Sequence, residues 1–216
     1  MSTRKSALPV NTGRKAAYVA RNRVALLRST QRVLAEIGPE ATIDQIAEVA
    51  EVSVSTIYKH FETKELLFST AIIEGMREWE FWADETLGYL EDPLEDLVFP
   101  MRLLLRVKRT HPLYAQMAAR NLSTIPLYVP ALSSGLAQHI KELIKSKVIE
   151  IDAPEVRIQS VAACLFGALS HQLLNPKAKE TEADLAVEIA LGILGITPAK
   201  AKKVSHAPLP HLESVQ

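Results

Sequence analysis

The sequence predicts an all-α protein, with a three-helix head at the N-terminus followed by a longer series of helices. Three observations predict it. Apolar residues recur at helical spacing along most of the chain, and no stretch alternates as a strand would. The breaks between periodic segments carry proline, at Gly38-Pro39, Asp92-Pro93, His111-Pro112, Ile125-Pro126, Val129-Pro130, Asp152-Ala153-Pro154, Asn175-Pro176 and Thr197-Pro198. The run from Thr42 to Leu67 reads as two short capped helices joined by a tight turn, then the start of a third, which is the pattern of a helix-turn-helix.

Met1 to about Gly13 contains Ser, Pro, Asn and Gly without periodicity and is expected to be a mobile basic arm, residues 1–13. From about Arg14 a long helix runs to Ile37 and stops at Gly38-Pro39. At 100° per residue Val24, Leu27, Thr30, Leu34 and Ile37 share one face, and Arg14, Arg21, Arg28 and Arg32 the opposite one. Arg23 projects toward the apolar side and carries no assigned role.

Thr42 is a good N-cap, and Gln45 three residues later completes a capping box. Ile43, Ile46, Ala47 and Ala50 give the next helix its apolar face. Ser53 caps the following helix. Val54, Ile57 and Phe61 lie along one side of it, leaving Ser55, Thr56, Tyr58, Lys59 and His60 to point elsewhere. Thr63 opens a long helix reaching to about Leu90, with Lys64 in its first turn. The head therefore spans 14–62 and offers polar groups suited to the edges of DNA bases.

These residues resemble the TetR family of bacterial transcriptional regulators from Val24 to about Phe68. The resemblance rests on Thr42-Ile43-Asp44-Gln45-Ile46-Ala47, on Val52-Ser53-Val54-Ser55-Thr56-Ile57-Tyr58-Lys59-His60-Phe61, and on Thr63-Lys64-Glu65-Leu66-Leu67. The rest of the chain is similar to the family only in length and helical character. One position departs from it. The turn between the two short helices usually carries Gly, and here it is Glu51; a side chain in the left-handed conformation costs up to ~1–2 kcal/mol. Either the turn takes another geometry or the chain bears that cost.

The resemblance implies that Tyr58 and His60 contact phosphate and that Ser55, Thr56 and Lys59 read bases. Thr42, Ser53 and Lys64 stand at helix starts, where free amides favour phosphate. Charge placement agrees. The formal net charge of zero hides eight basic and no acidic residues between Met1 and Ala35, leaving 17 basic against 25 acidic residues in the remainder. The acidic excess peaks between Glu74 and Asp96, where Arg77 is the only basic residue. One end of the molecule is thus suited to a polyanion.

Beyond the head, helices are expected over Leu94–Arg109, Leu113–Leu122, Ala131–Lys147, Pro154–Leu174 and Ala183–Leu194, in a body spanning 63–197. The Lys-, Ala- and Pro-rich tail of 198–216 is expected to be disordered. Val161–Leu169 and Leu185–Leu194 are apolar nearly all round, so they need cover on every side. A second copy of the chain is the expected cover, through Ala162, Ala163, Phe166, Gly167, Leu185, Ile189 and Gly192, giving a homodimer. The resemblance also implies a ligand cavity. Its candidate walls are Trp79, Trp82, Tyr89, Phe99, Met101, Tyr114, Met117 and Tyr128, with His111, Gln116, Arg120 and Asn121 as polar members; each is equally a core residue by its type.

Other chemistry finds no carrier. No Gly-rich phosphate loop, paired-His metal motif or CxxC occurs, and His111, His139 and His171 fall at no ligand spacing. No catalytic residue, cofactor or metal is assigned, and an enzyme is not expected. A lone Cys164 fits a reducing cytoplasm, and no apolar run approaches the ~20 residues of a membrane span. The expected protein is a cytoplasmic regulator with two domains. Its dimer binds an inverted repeat in double-stranded DNA, most simply as a repressor released by a small, largely apolar effector. A DNA-binding regulator without an effector, and a helical enzyme or carrier, are the alternatives.

Overall fold

The computed structural model of the chain describes residues 12–125, 134–210 and 212, and every regular element among them is a helix. In chain order these are α1 (Thr12–Glu36), α2 (Ile43–Val49), α3 (Val54–His60), α4 (Lys64–Leu87), α5 (Pro93–Leu104), α6 (Val107–Thr110), α7 (Pro112–Arg120), α8 (Ser134–Lys145), α9 (Pro154–Leu174), α10 (Glu180–Ile193) and α11 (Pro198–Ser205). The expected arm lies outside the described residues except for its last two, which open α1. Tyr128 and the expected start of α8 lie outside them as well.

Local chemistry sets the helix ends. Gly38 stops α1 with φ 90°, and its Cβ-less backbone sits on Arg120 of α7. The Thr42 hydroxyl accepts from the Gln45 amide while Gln45 reaches back to the Thr42 amide, the full capping box. The Ser53 and Thr63 hydroxyls accept from the Thr56 and Leu66 amides and cap α3 and α4 by that bond alone. Glu51 takes φ 53°, so the turn keeps the left-handed geometry that Gly would favour and bears the side-chain cost.

The head core gathers Leu34, Ile46, Ile57, Phe61 and Leu67, all at most 2% exposed. It also takes in Phe68, Ala71 and Ile72 of α4 and Met117 of α7, so it passes beyond the boundary expected at residue 62. On α1, Leu27, Thr30 and Leu34 are buried as their face requires, but Val24 is 48% exposed, because it lies above the part of α1 that the other helices cover. The body core joins α5, α8, α9, α10 and α11 around Leu97, Val98, Ile140, Val161, Val187 and Leu191.

Two expectations are corrected. The helix expected over Leu94–Arg109 is broken between α5 and α6. The Arg106 guanidinium donates to the Arg102 carbonyl at 3.0 Å, occupying the acceptor that a continuing α-helix would use, and the Arg106 amide bonds Leu103 instead at 2.9 Å. The tail expected to be disordered from 198 forms α11, which buries Ala201, Val204 and Ser205. Beyond it Leu212 is buried in a cluster with Trp79, Ala83 and Leu103, and the Ala207 carbonyl accepts from Arg102 at 2.7 Å. Ala201 and Val204, three apart, are the short apolar stripe that the lysines obscure.

Candidate functional site

The outer face of α3 holds the first set of predicted residues. Ile57 and Phe61 anchor the helix in the core, which leaves Ser55, Tyr58 and Lys59 exposed and Thr56 and His60 partly so. The Ser53 hydroxyl lies 2.9 Å from that of Ser55 and 2.8 Å from that of Thr56, so the first turn presents three hydroxyls in a fixed arrangement. Thr42 is exposed at the start of α2. The Lys64 ammonium lies over the Phe68 ring, 5.0 Å from its centre.

Arg23 acquires a role that periodicity did not reveal. Its guanidinium donates to the His60 carbonyl at 3.3 Å and lies 4.3 Å from the centre of the Phe61 ring. It therefore closes the C-terminal end of α3 from α1, a placement favoured by the negative end of the helix dipole.

Behind the head the body encloses a cavity of about 460 Å³. Its largest wall is α4, through Ile72, Gly75, Met76, Trp79, Glu80, Ala83 and Asp84; α5, α7, α8 and α9 complete it. Of the predicted ligand residues, Trp79, Met101, Tyr114, Met117 and Asn121 line this space. Trp79 is 5% exposed, and its indole N–H has no partner among the described residues. The Tyr114 hydroxyl donates a short hydrogen bond to Glu78; burial and that carboxylate push the phenol far above its usual range, so it stays protonated.

Trp82, Phe99, His111 and Arg120 do not line the cavity. Phe99 points into the body core, with the Arg102 guanidinium 5.7 Å from its ring. His111 is buried between Trp82, edge-on at 4.6 Å, and Tyr114, stacked at 5.5 Å, and desolvation holds its imidazole below the ordinary value. Arg120 is exposed beneath Gly38. Gln116 and Tyr89 are exposed too, Tyr89 at 91%. Asn121 has a mechanical part as well, since its amide donates to the Leu34 carbonyl of α1 at 3.2 Å and to that of Met117 at 2.7 Å.

Sequence reasoning missed Glu80 and Asp84. The available signal was their spacing. Ile72, Met76, Glu80 and Asp84 follow one another at four-residue intervals, so the acidic pair prolongs an apolar stripe instead of lying opposite it. Glu80 has its carboxyl raised above the usual range, first by burial and then by Asp84.

The predicted dimer residues divide. Ala163, Gly167, Leu185, Ile189 and Gly192 face outward and are exposed, with Ile189 at 57% and Leu185 at 50%. Val156 and Leu174 at the two ends of α9 are each 63% exposed. Ala162 and Phe166 turn inward and line the cavity beside Leu165 and Leu169, because residues three and four apart share a helix face that 163 and 167 do not.

The comparisons with known proteins agree with this anatomy. Residues 26–71 match the model of the bacterial regulatory proteins of the tetR family. The HTH-type transcriptional regulator YhgD of Bacillus subtilis (strain 168) is 26% identical over 124 residues, which are 57% of this chain and 65% of that protein. Among solved structures, RolR in complex with resorcinol superposes with a TM-score of 0.73 at 20% identity, covering 92% of this chain and all of that one. NalD of Pseudomonas aeruginosa, the secondary repressor of a multidrug efflux pump, gives 0.61 at 19% identity over 82% of this chain and 97% of its own. The head, over residues 26–71, thus matches the domain of the tetR family of bacterial regulatory proteins, and the fold of such regulators extends over nearly the whole length of the chain.

Proposed function

We propose that this chain is a cytoplasmic, dimeric, ligand-responsive repressor that binds an inverted-repeat operator and leaves it when a small, largely apolar effector fills the body cavity. The observation that carries this reading is the double duty of α4. Three residues separate it from α3, and its first turns belong to the head core, while its later turns form the largest wall of the cavity. A tilt of α4 therefore moves α3 as a rigid unit. A ligand acts through such a tilt only by favouring one of two states, and shifting a dimer from almost wholly competent to almost wholly incompetent needs ~5.5 kcal/mol of differential affinity. RolR, solved with resorcinol, and NalD, named as a repressor, lend this reading support by likeness of fold.

The exposed apolar faces of α9 and α10 supply the dimer reading. In the protomer a Cβ built at Gly167 or Gly192 meets nothing within 4 Å, so these glycines keep space open on an outer face. Pairing the two helices with their copies makes a four-helix bundle, and a twofold dimer sets two α3 helices about one DNA turn apart, ~34–36 Å.

The test is selection from random duplexes with the purified chain. An inverted repeat is expected. Lys64→Ala should weaken binding to all sequences alike and flatten the salt dependence by ~0.9, whereas Tyr58→Ala, which removes an uncharged donor, should weaken binding with the salt dependence nearly unchanged. Gly167→Arg should leave a folded protomer that sediments as a monomer and has lost operator affinity. Intact operator affinity in both head variants would refute the assignment of α3, and a stable wild-type monomer at micromolar concentration would remove the dimer.

A further inference from the structure

The walls of the cavity are mostly apolar and carry an unbalanced set of charges. Glu80 and Asp84 stand one turn apart on α4, both lining the space, and neither forms an ion pair among the described residues. No Lys or Arg among the described residues lines it, and the sequence of residues 126–133 contains none. Arg77, the basic residue closest in sequence to Glu80, pairs with Glu74 at 3.5 Å, and its charge favours the Glu80 carboxylate less than burial and Asp84 oppose it. The buried Arg102 and Arg106 are taken up by Asp184 and Glu180 of α10. Among the described residues the one basic side chain in the wall is His139, which lies 3.7 Å from Asp96.

A carboxylate drawn out of water beside a second carboxylate has lost solvation and gained repulsion, and a cation placed between them restores both. An anionic ligand would add a further repulsion to both carboxylates. The remaining surface of the space is mostly hydrocarbon and aromatic, with Tyr114, Asn121, Ser134 and Gln138 as its uncharged polar members and the buried, unpartnered indole N–H of Trp79 in the same wall. We propose that the cavity selects largely apolar organic cations, protonated amines above all, and rejects carboxylates of the same shape. This rests on the ligand-binding reading above and deepens it. Because both acidic residues belong to α4, an ammonium held by them pulls directly on the helix that carries the head.

The test is calorimetric titration of the full chain at pH 7.5 with a matched series: 4-phenylbutylamine, 4-phenylbutan-1-ol and 4-phenylbutanoate. The amine should bind at least ~10-fold more tightly than the carboxylate, an advantage equal to ~1.4 kcal/mol, with the alcohol between them. Glu80→Gln combined with Asp84→Asn should bring amine and carboxylate together while leaving the alcohol nearly unchanged. Asp84→Asn alone, at an exposed position, should do so in part even where the double variant folds poorly. Equal or tighter binding of the carboxylate, an unchanged ratio in the variants, or binding of none of the three overturns the proposal. Operator affinity is measured in parallel. Amine selectivity without operator release leaves this inference standing and removes ligand-controlled release, whereas release by the carboxylate alone does the reverse.

Discussion

Replacing Asp184 with Asn strands two buried guanidinium groups. One oxygen of Asp184 accepts from Arg102 Nε at 2.8 Å and from the Arg106 guanidinium at 2.9 Å, and its second oxygen accepts from the same Arg106 nitrogen at 2.9 Å. The side chains of Arg102 and Arg106 are each 5% exposed and that of Asp184 11%, so water cannot replace the carboxylate. Breaking a buried pair from one side costs ~3–5 kcal/mol. The lower end applies here, because Arg106 keeps Glu180 at 3.1 Å, Arg102 keeps the Ala207 carbonyl at 2.7 Å, and an amide oxygen still accepts one bond. A loss of ~3 kcal/mol lowers the melting midpoint by about 6–12 °C in a chain of this size. Urea denaturation followed by far-UV circular dichroism, at one fixed protein concentration, measures it. Asp152→Asn is the control, since Asp152 pairs with Arg157 at the surface and its loss should be undetectable. A loss in Asp184→Asn of less than ~1 kcal/mol would show that the buried arginines find other partners, and that reasoning from this network is wrong.

Glu51→Gly should raise stability by up to ~1 kcal/mol, since it relieves a φ of 53° at the cost of a more mobile unfolded chain; scanning calorimetry reads the shift. Asn121→Ala should destabilise by ~1–3 kcal/mol, because the Leu34 and Met117 carbonyls lose their donor, and operator affinity should fall with it if α7 steadies α1. His111 is held below its ordinary value of 6.5 by burial, so on acidification the unfolded chain takes a proton that the folded chain refuses. Stability is then intact above about pH 6.5 and falls below it, and His111→Phe, which keeps the ring stack, should flatten the slope between about pH 7 and 5.5.

The head was legible because its signals are local. Thr42, Gln45, Ser53 and Thr63 act on amides within three residues, and Ile46, Ile57 and Phe61 can face only one way on such short helices. The length of α9 was legible for a similar reason, with proline at its first position and Asn175-Pro176 at its end. The cavity was not. Trp82, Phe99 and His111 have the residue types of a ligand site, yet each packs against neighbours distant in sequence, and only the folded arrangement decides which aromatic meets empty space. Glu80 and Asp84 were passed over because carboxylates on helices are usually solvated; their spacing puts them in line with Ile72 and Met76, but that this line faces a cavity is a tertiary fact. The break before α6 depends on one side chain taking a backbone acceptor, which no propensity scale contains.

The sharing of Met117 and Ile72 between head and body limits how this regulator can be recombined. A chimera cut after residue 62 would part Phe61 from Leu67, Phe68 and Ala71, and would leave the floor of the head open where α7 inserts Met117. To transplant this DNA specificity onto a foreign sensor, the graft must run through Ile72, and the recipient must offer a flexible apolar side chain in place of Met117 and a donor in place of Asn121. By the same token, substitutions on α7 can shift how α1 and α4 are seated, so chains with identical α3 sequences can present that helix differently according to the helix beneath them.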